Sequence, residues 1–455
     1  MILIVVFICA AGTVVGVVLS GHHKAKAGAN ITASATVTTE TPIPSTMVTS
    51  RAHPPTTLPT PTPPPTIVPS RTHPPTMVTS RTHPPTTVSL TSLRSLLSPR
   101  IAPTQEDTLL LYNASSPQYK ALAFLAQDPF LDKTQSPTYI VLERYVLLVL
   151  YYATQGQLWN FANWTLQGHA CDWNNDPNFL SDSFNSDTAL GVFCYFPGDG
   201  TSGQDYTVRR LDLSNVGLSG TIPWELSLLK NMDYLSLQLN QIAGTIPTQL
   251  NSLTQLTNLG LNNNKLTGTL PTDWQTSLNN LDFGTNHLTG TIPTQFSSLE
   301  RASNLAVNDN QFTGSLPTSL PAPIESMNFG DNHFTGTIPT QYGSAGLLQL
   351  MIVLGNNLTG PLPTQLGQLA QLASLWVDNN HLTGTVPTEF AQLTLLDTFS
   401  FYNNDLTGTV DNIFCMKNSK RTWNVLQGNC AANVQGQVQI QCSCCLFCCA
   451  GDTVC

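Results

Sequence analysis

The sequence predicts a solenoid, an α/β fold of short stacked coils, and three features of one recurring pattern predict it. A Leu-Thr-Gly-Thr-x-Pro motif and its close relatives return around nine glycines, mostly 24 residues apart. Apolar residues alternate ahead of each glycine, which is typical of a short half-buried strand. An asparagine precedes eight of the glycines by four residues. Such a regular period indicates repeats that bury their apolar faces against each other. The motif glycines are Gly220, Gly244, Gly268, Gly290, Gly314, Gly336, Gly360, Gly384 and Gly408.

Each residue of the repeat has a physical role in the predicted coil. Leu375 and Val377 represent the alternating strand, and Asn380 stands where that strand ends. Asparagine carries both a donor and an acceptor, so one asparagine per coil can satisfy the backbone groups exposed there. Gly384 permits an unusual backbone conformation, and Pro387 cannot continue a ladder of hydrogen bonds.

The whole pattern, LxLxxNxLxGxIP, resembles the plant-type leucine-rich repeat over residues 205–412, which form nine coils. The resemblance implies a right-handed superhelix with a parallel sheet on its concave face, where the G-x-I-P segment turns the corner of each coil. The first coil departs from the pattern because Val216 takes the place of the asparagine. We therefore expect that coil to be stabilised by the segment before it.

Two segments of unusual composition precede the body of the protein. Residues 1–20 are apolar almost throughout, and twenty such residues can just cross a bilayer as a helix, so we expect an uncleaved transmembrane signal-anchor. A cleaved signal peptide is the alternative. Residues 21–104 are rich in Thr, Pro and Ser, which predicts a disordered, O-glycosylated stalk.

Residues 105–204 are expected to cap the N-terminal end of the solenoid, because an open end would expose a cross-section of the core. Helices are predicted over 116–127 and 137–155. The tryptophans and the cysteine pair that follow resemble the N-terminal cap of plant-type leucine-rich repeats. That resemblance implies a disulfide between Cys171 and Cys194.

The tail, residues 413–455, is predicted to be a Cys-rich C-terminal cap. Adjacent cysteines favour disulfides over the alternative, a metal cluster, because zinc sites usually space their cysteines as separated pairs. The cysteine distribution indicates an oxidising compartment, outside the cytosol. The tail cysteines are Cys415, Cys430, Cys442, Cys444, Cys445, Cys448, Cys449 and Cys455. Four Asn-x-Ser/Thr sequons agree with that location: Asn30, Asn113, Asn163 and Asn357.

The stalk, the helix before the cap, the repeats and the C-S-C-C-x-x-C-C tail together resemble the membrane-anchored leucine-rich repeat proteins of diatoms. This resemblance implies an architecture more than an activity. Plant receptor kinases share this type of ectodomain, but the segment after the repeats is too short for a kinase domain.

Charge narrows the classes of function. The chain has a net charge of -9, and the repeats carry five basic and fifteen acidic residues, which argues against nucleic acid and strongly anionic ligands. We identify no catalytic constellation, cofactor motif or metal site, so we expect the protein not to be an enzyme. The repeat histidines follow the ladder asparagine at one fixed position, which indicates a structural surface role.

The concave face is the predicted binding surface, since its acids and aromatics suit a peptide, carbohydrate or cationic ligand. We expect a single-pass plasma-membrane recognition protein with extracellular repeats, which binds a protein, peptide or glycan and signals only through partners such as a membrane co-receptor. The alternatives are a structural or adhesive protein of the cell wall or extracellular matrix, and a secreted enzyme inhibitor. The candidate ligand-binding residues are Tyr234, Asp282, Asp309, Asp331, Trp376, Asp378 and Tyr402.

Overall fold

The structure is a computed structural model. It describes residues 2–10, 13–21, 89–128, 138–160, 190–195, 207–274, 277–415, 422–430 and 438–448. The chain divides into two compact units, Met1–His83 and Pro84–Cys455.

In the first unit, β1 (Ile2–Ala10) and β2 (Thr13–Gly21) pair as antiparallel strands. The predicted helix over 1–20 is therefore wrong in this structure. The segment is rich in Val and Ile, whose branched side chains favour strands over helices. Within the described residues, none of the helices combines the length and apolar character needed to cross a bilayer.

Among the described residues of the second unit, four α-helices precede the repeats and a fifth begins where the repeats end. They are α1 (Leu90–Ile101), α2 (Gln105–Leu110), α3 (Pro117–Gln127), α4 (Thr138–Ala153) and α5 (Asp411–Phe414). The predictions of α3 and α4 are confirmed. The predicted disordered stalk over 21–104 is wrong at its C-terminal end, because α1 is an ordered helix there. Leu93, Leu97 and Ile101 recur every four residues and are all buried, so they form one apolar stripe that holds this helix on the core.

Two buried carboxyl groups join the helices to the first coil. Glu143 of α4 accepts a hydrogen bond from the backbone N–H of Val208 at 3.2 Å. The side chain of Gln118 in α3 donates to Glu225 at 2.8 Å. These contacts fix the helical segment against the first repeat.

Two long sheets, almost wholly parallel, form the solenoid among the described residues, and two further strands pair separately at its C-terminal end. In chain order the strands are β3 (Gly191–Tyr195), β4 (Thr207–Asp212), β5 (Ser219–Thr221), β6 (Tyr234–Ser236), β7 (Gln241–Gly244), β8 (Asn258–Gly260), β9 (Lys265–Gly268), β10 (Asn280–Asp282), β11 (His287–Gly290), β12 (Asn304–Ala306), β13 (Gln311–Ser315), β14 (Ser326–Asn328), β15 (His333–Gly336), β16 (Leu350–Ile352), β17 (Asn357–Pro361), β18 (Ser374–Trp376), β19 (His381–Gly384), β20 (Thr398–Ser400), β21 (Asp405–Leu406), β22 (Gly408–Thr409), β23 (Val425–Gly428), β24 (Ile440–Gln441) and β25 (Phe447–Cys448).

The main sheet contains the even strands from β4 to β20, then β23 and β25, all parallel, with β3 antiparallel to β4 at the other edge. The odd strands from β5 to β21 form the second sheet. The middle residue of each short main-sheet strand, such as Leu375, is buried and aligns with its equivalents in neighbouring coils. The predicted parallel solenoid is therefore confirmed.

The asparagine ladder works as the sequence predicts. Asn310 accepts a hydrogen bond from the backbone N–H of Leu288 at 2.9 Å. Its side-chain amide donates to the carbonyls of Phe283 at 3.0 Å and Val307 at 3.1 Å. One side chain thus satisfies backbone groups of two coils. In the first coil, where Val216 replaces the asparagine, the carbonyl of Val216 accepts from the N–H of Asn160 at 2.7 Å, so the preceding segment supports that coil.

The C-terminal segment continues the main sheet and is held by disulfides. Cys415–Cys444, Cys430–Cys448 and Cys442–Cys445 are bonded, which confirms disulfides for six of the tail cysteines. Cys194 is also held in a disulfide. The predictions made for Cys171, Cys449 and Cys455 lie outside the described residues.

Candidate functional site

The candidate site lies on the open face of the main sheet, which we define as the side where strand residues flanking the buried middle position project. Adjacent strands run in register, so equivalent residues form columns across this face. In the coil of β16, three consecutive projecting positions are apolar: Leu350, Ile352 and Leu354, all half-buried. In the coil of β12, for comparison, two of the equivalent positions are Asn304 and Asn308.

Two aromatic side chains extend this apolar surface in the next coils. Trp376 aligns with Ile352 across the sheet, and Tyr402 follows β20. We call Leu350, Ile352, Leu354, Trp376 and Tyr402 the apolar patch. Sequence reasoning identified the aromatics but missed the three aliphatic residues. The signal was available, because the run from Leu350 to Leu354 contains no polar residue where the other coils alternate.

Polar neighbours fix the aromatic rings. The indole N–H of Trp376 donates to the hydroxyl of Ser374 at 2.8 Å. The side-chain amide of Asn379 donates to Asp378 Oδ2 at 2.7 Å and to the Tyr402 hydroxyl at 3.2 Å. Asp378, Asn379 and Tyr402 therefore form one hydrogen-bonded group, and Ser374 fixes the Trp376 ring separately.

Asp378 is the buried acid of this group, since only 3 % of it is exposed. Its Oδ1 atom is buried and makes no hydrogen bond. Burial raises the pKa of Asp378 to about 6, although nearby side chains, among them the hydroxyls of Ser400 and Tyr402, favour the ionised form. The Ser400 hydroxyl is likewise buried without a hydrogen-bond partner, so this carboxylate already has a donor within the protein.

Asp331 is the second acid, and the absence of a side chain at Gly355 makes room for it. Both residues adopt a left-handed backbone conformation, with φ of 51° and 63°. A Cβ atom on Gly355 would lie only 2.3 Å from Asp331 Oδ1. Burial, followed by the nearby charges of Asp309 and Asp378, raises the pKa of Asp331 to about 7.

Asp309, one coil earlier, is exposed and accepts a hydrogen bond from the side chain of Asn308 at 2.7 Å. Together with Asp331 and Asp378 it forms what we call the acidic cluster. This cluster lies beside the apolar patch, so five of the seven predicted residues come together.

The structure does not bring the other two predicted residues to this site. Tyr234 lies in β6, six strand spacings from β18, or roughly 29 Å at about 4.8 Å per strand. The guanidinium of Arg210 covers the Tyr234 ring at 3.9 Å from its centroid. Asp282 in β10 accepts a hydrogen bond from the backbone of Gly284 at 3.0 Å, and burial raises its pKa to about 6.

A shallow polar pocket of about 380 Å³ adjoins the site, because Asn379 lines both. Its other walls include Asn403, His381, Asn429 and Gln439, so side-chain amides dominate it. Such a lining can bond either the hydroxyls of a sugar or the backbone of a peptide.

Of the predicted glycosylation sites, Asn113 and Asn357 are exposed. Asn357 opens β17 in the second sheet, away from the open face. Asn30 and Asn163 lie outside the described residues.

The repeats match a known family. Residues 255–276 and 371–393 match the family model Leucine Rich Repeat, so the coils are leucine-rich repeats. No curated protein matches the sequence.

Solved structures to which the chain is similar include plant receptor ectodomains. The chain is similar to the Arabidopsis receptor kinase HAESA in complex with the peptide hormone IDA and the co-receptor SERK1, at 27 % identity and a TM-score of 0.50, over 63 % of this chain and 46 % of that one. A HAESA ectodomain with an N-terminally extended IDA peptide is 25 % identical with a TM-score of 0.52, and the match covers 65 % of this chain and 45 % of that one. The plant peptide hormone receptor RGFR1 in complex with RGF2 is 32 % identical with a TM-score of 0.45, and the match covers 45 % of this chain and 34 % of that one. The chain thus spans less than half the length of these structures.

Proposed function

We propose that this protein is a cell-surface recognition protein whose open sheet face binds an extracellular protein, peptide or glycan. One observation carries the proposal: the apolar patch and the acidic cluster lie side by side on an otherwise polar sheet. Half-buried aromatics and aliphatics of this kind are typical anchors of protein interfaces. The similarity to HAESA, a receptor that binds a peptide hormone and a co-receptor, supports this class of function.

The proposal includes the predicted partners and location. The chain acts outside the cell, where its tail disulfides are stable, and it signals through a separate membrane partner such as a co-receptor. A place at the plasma membrane is part of the proposal, with secretion to the cell wall as the alternative. The proposal assigns no catalytic step.

Binding by matched variants tests it. The full chain is expressed in eukaryotic cells, purified from the membrane fraction or the medium, and screened against extracellular protein, peptide and glycan arrays. Trp376→Ala with Tyr402→Ala is expected to weaken the binding of any specific ligand by at least about 100-fold, in line with the loss of two anchor residues. Tyr234→Ala removes an aromatic side chain from the same sheet, far from the patch, and is the control. Equal binding by the double variant would remove the site assignment, and the absence of any saturable ligand would favour a structural or adhesive role.

A further inference from the structure

We propose that the site takes an extended peptide segment in which a basic side chain, arginine or lysine, stands next to an apolar one. This inference rests on the proposed recognition function and narrows its ligand to one chemical class. It is carried by two features of the described residues: the unbalanced negative charge, in which Asp378 is the central acceptor, and the apolar patch beside it.

Among the described residues from 302 to 415, acids occur without any lysine or arginine. Between Arg301 and Lys417 the sequence contains no lysine or arginine, and this stretch includes the whole acidic cluster. By contrast, acids at the other end of the sheet have cations of their own. Arg209 pairs with Asp233 at 2.9 Å, for example. A ligand with a basic side chain would supply the cation that these acids lack when they are ionised.

The carboxylate of Asp378 is the acceptor that such a cation would meet first in this group. Asn379 holds Asp378 Oδ2 in place, and the hydroxyls of Ser400 and Tyr402 lie beside the carboxylate. An arginine side chain supplies five N–H donors and a lysine three. The rings of Trp376 and Tyr402 beside this carboxylate also favour a cation, because the face of an aromatic ring is electron-rich.

The apolar patch distinguishes a peptide from a metal ion or a sugar. Leu350, Ile352 and Leu354 offer no polar atom in their side chains, so a hydrated ion or a glycan would leave this surface uncovered. Gly330 makes room for two of them, since a Cβ there would lie 3.2 Å from Ile352 and 3.3 Å from Leu354. An apolar residue next to the basic one would cover the aliphatic surface.

Selection from a random dodecapeptide library on the immobilised full chain tests the proposal. The enriched peptides are expected to contain arginine or lysine next to an apolar residue. Replacing that basic residue by glutamine should weaken binding to the wild-type protein by about tenfold or more. Asp331→Asn with Asp378→Asn keeps the shape of the site and removes its charge, so this variant should bind the basic and the glutamine peptides within about twofold of each other. Glu389→Gln, which removes one charge from a turn outside the open face, should retain the wild-type preference.

Three outcomes would overturn the inference: enriched peptides without a basic residue, a preference for the basic peptide that survives in the double-asparagine variant, or no enrichment at all. The proposed function fails separately. A glycan or protein whose binding needs Trp376 and Tyr402 but not Asp331 and Asp378 would leave the recognition function intact and exclude the basic peptide.

Discussion

Replacing Gly355 by asparagine tests whether this glycine holds Asp331 in its unusual environment. The new Cβ would occupy the position that Asp331 Oδ1 now approaches, so the carboxylate has to move out towards water. The backbone tolerates the change, because asparagine adopts the left-handed conformation at the equivalent position of other coils, as in Asn379 with φ of 55°. The substitution therefore perturbs the acid more than the fold.

The magnitude follows from the pKa of Asp331. A rise from 3.8 to about 7 corresponds to roughly 4 kcal/mol at about 1.4 kcal/mol per unit, and partial solvent exposure reduces this to about 1–2 kcal/mol. Because the folded state holds this proton more tightly than the unfolded chain, the free energy of unfolding falls as the pH rises from about 4 to about 7. Gly355→Asn removes that loss. We compare the free energy of unfolding of the variant with that of wild type at each pH. This difference should favour the variant by about 1–2 kcal/mol more at pH 8 than at pH 4.

Urea unfolding of both proteins at pH 4 and pH 8 measures this gain. Gly355→Ala is the matched control. Its Cβ displaces the same carboxylate, but alanine in a left-handed conformation costs about 1–2 kcal/mol at every pH. The two variants should therefore show the same pH-dependent gain from different starting values. A stability difference between Gly355→Asn and wild type that does not change with pH would refute the reasoning.

Three further changes probe the parts of the fold that position the site. Asn310→Ala leaves the N–H of Leu288 without a partner, whereas the carbonyl of Phe283 still accepts from Asn286, so we expect a loss of roughly 1–3 kcal/mol and faster hydrogen exchange at Leu288. Gln311→Ala, at an exposed neighbouring position, should change stability by less than about 0.5 kcal/mol. Leu97→Ala should lower the free energy of unfolding by about 2–5 kcal/mol, because Leu97 of α1 is buried in the core. An unchanged thermal midpoint would show that α1 does not belong to the folded unit and is part of the stalk. Burial raises the pKa of Glu143 to about 7, so Glu143→Gln should raise the midpoint at pH 8 but not at pH 4, and a destabilised variant at pH 8 would show that the charge is needed.

The repeat was predictable because one rule recurs in every coil. The alternating strand, the ladder asparagine and the motif glycine each recur at a fixed spacing, so chance agreement is excluded by repetition. Helices α3 and α4 followed from local apolar runs with clear ends. Helix α1 was missed because its stripe lies at the border of a Thr/Pro/Ser-rich tract, where overall composition outweighed three well-spaced apolar residues.

The candidate site was only half predictable, for a physical reason. Trp376, Asp378 and Tyr402 could be placed on the open face by counting from the ladder asparagine. The importance of Gly355 could not be predicted. The space beside it is filled by the side chain of Asp331 from the preceding coil, and the spacing of the repeat does not reveal that contact. The difference between Tyr234, already covered by Arg210, and Tyr402 is likewise a matter of neighbours and not of position in the repeat.

In a solenoid, positions that face the core or turn the corner are constrained by stacking, whereas positions on the open face are free to vary. A binding site should therefore be found where the residue types on the open face differ from those at the equivalent positions of the other coils. The coil of β16 has apolar residues at these positions, and the next coil has a tryptophan and a buried acid. The sequence between Arg301 and Lys417, which includes both coils, contains no lysine or arginine. Each departure works against the stability of the free protein, through exposed apolar surface or through uncompensated negative charge. Three such departures within neighbouring coils are better explained by a ligand that reverses all of them on binding than by independent defects of the fold.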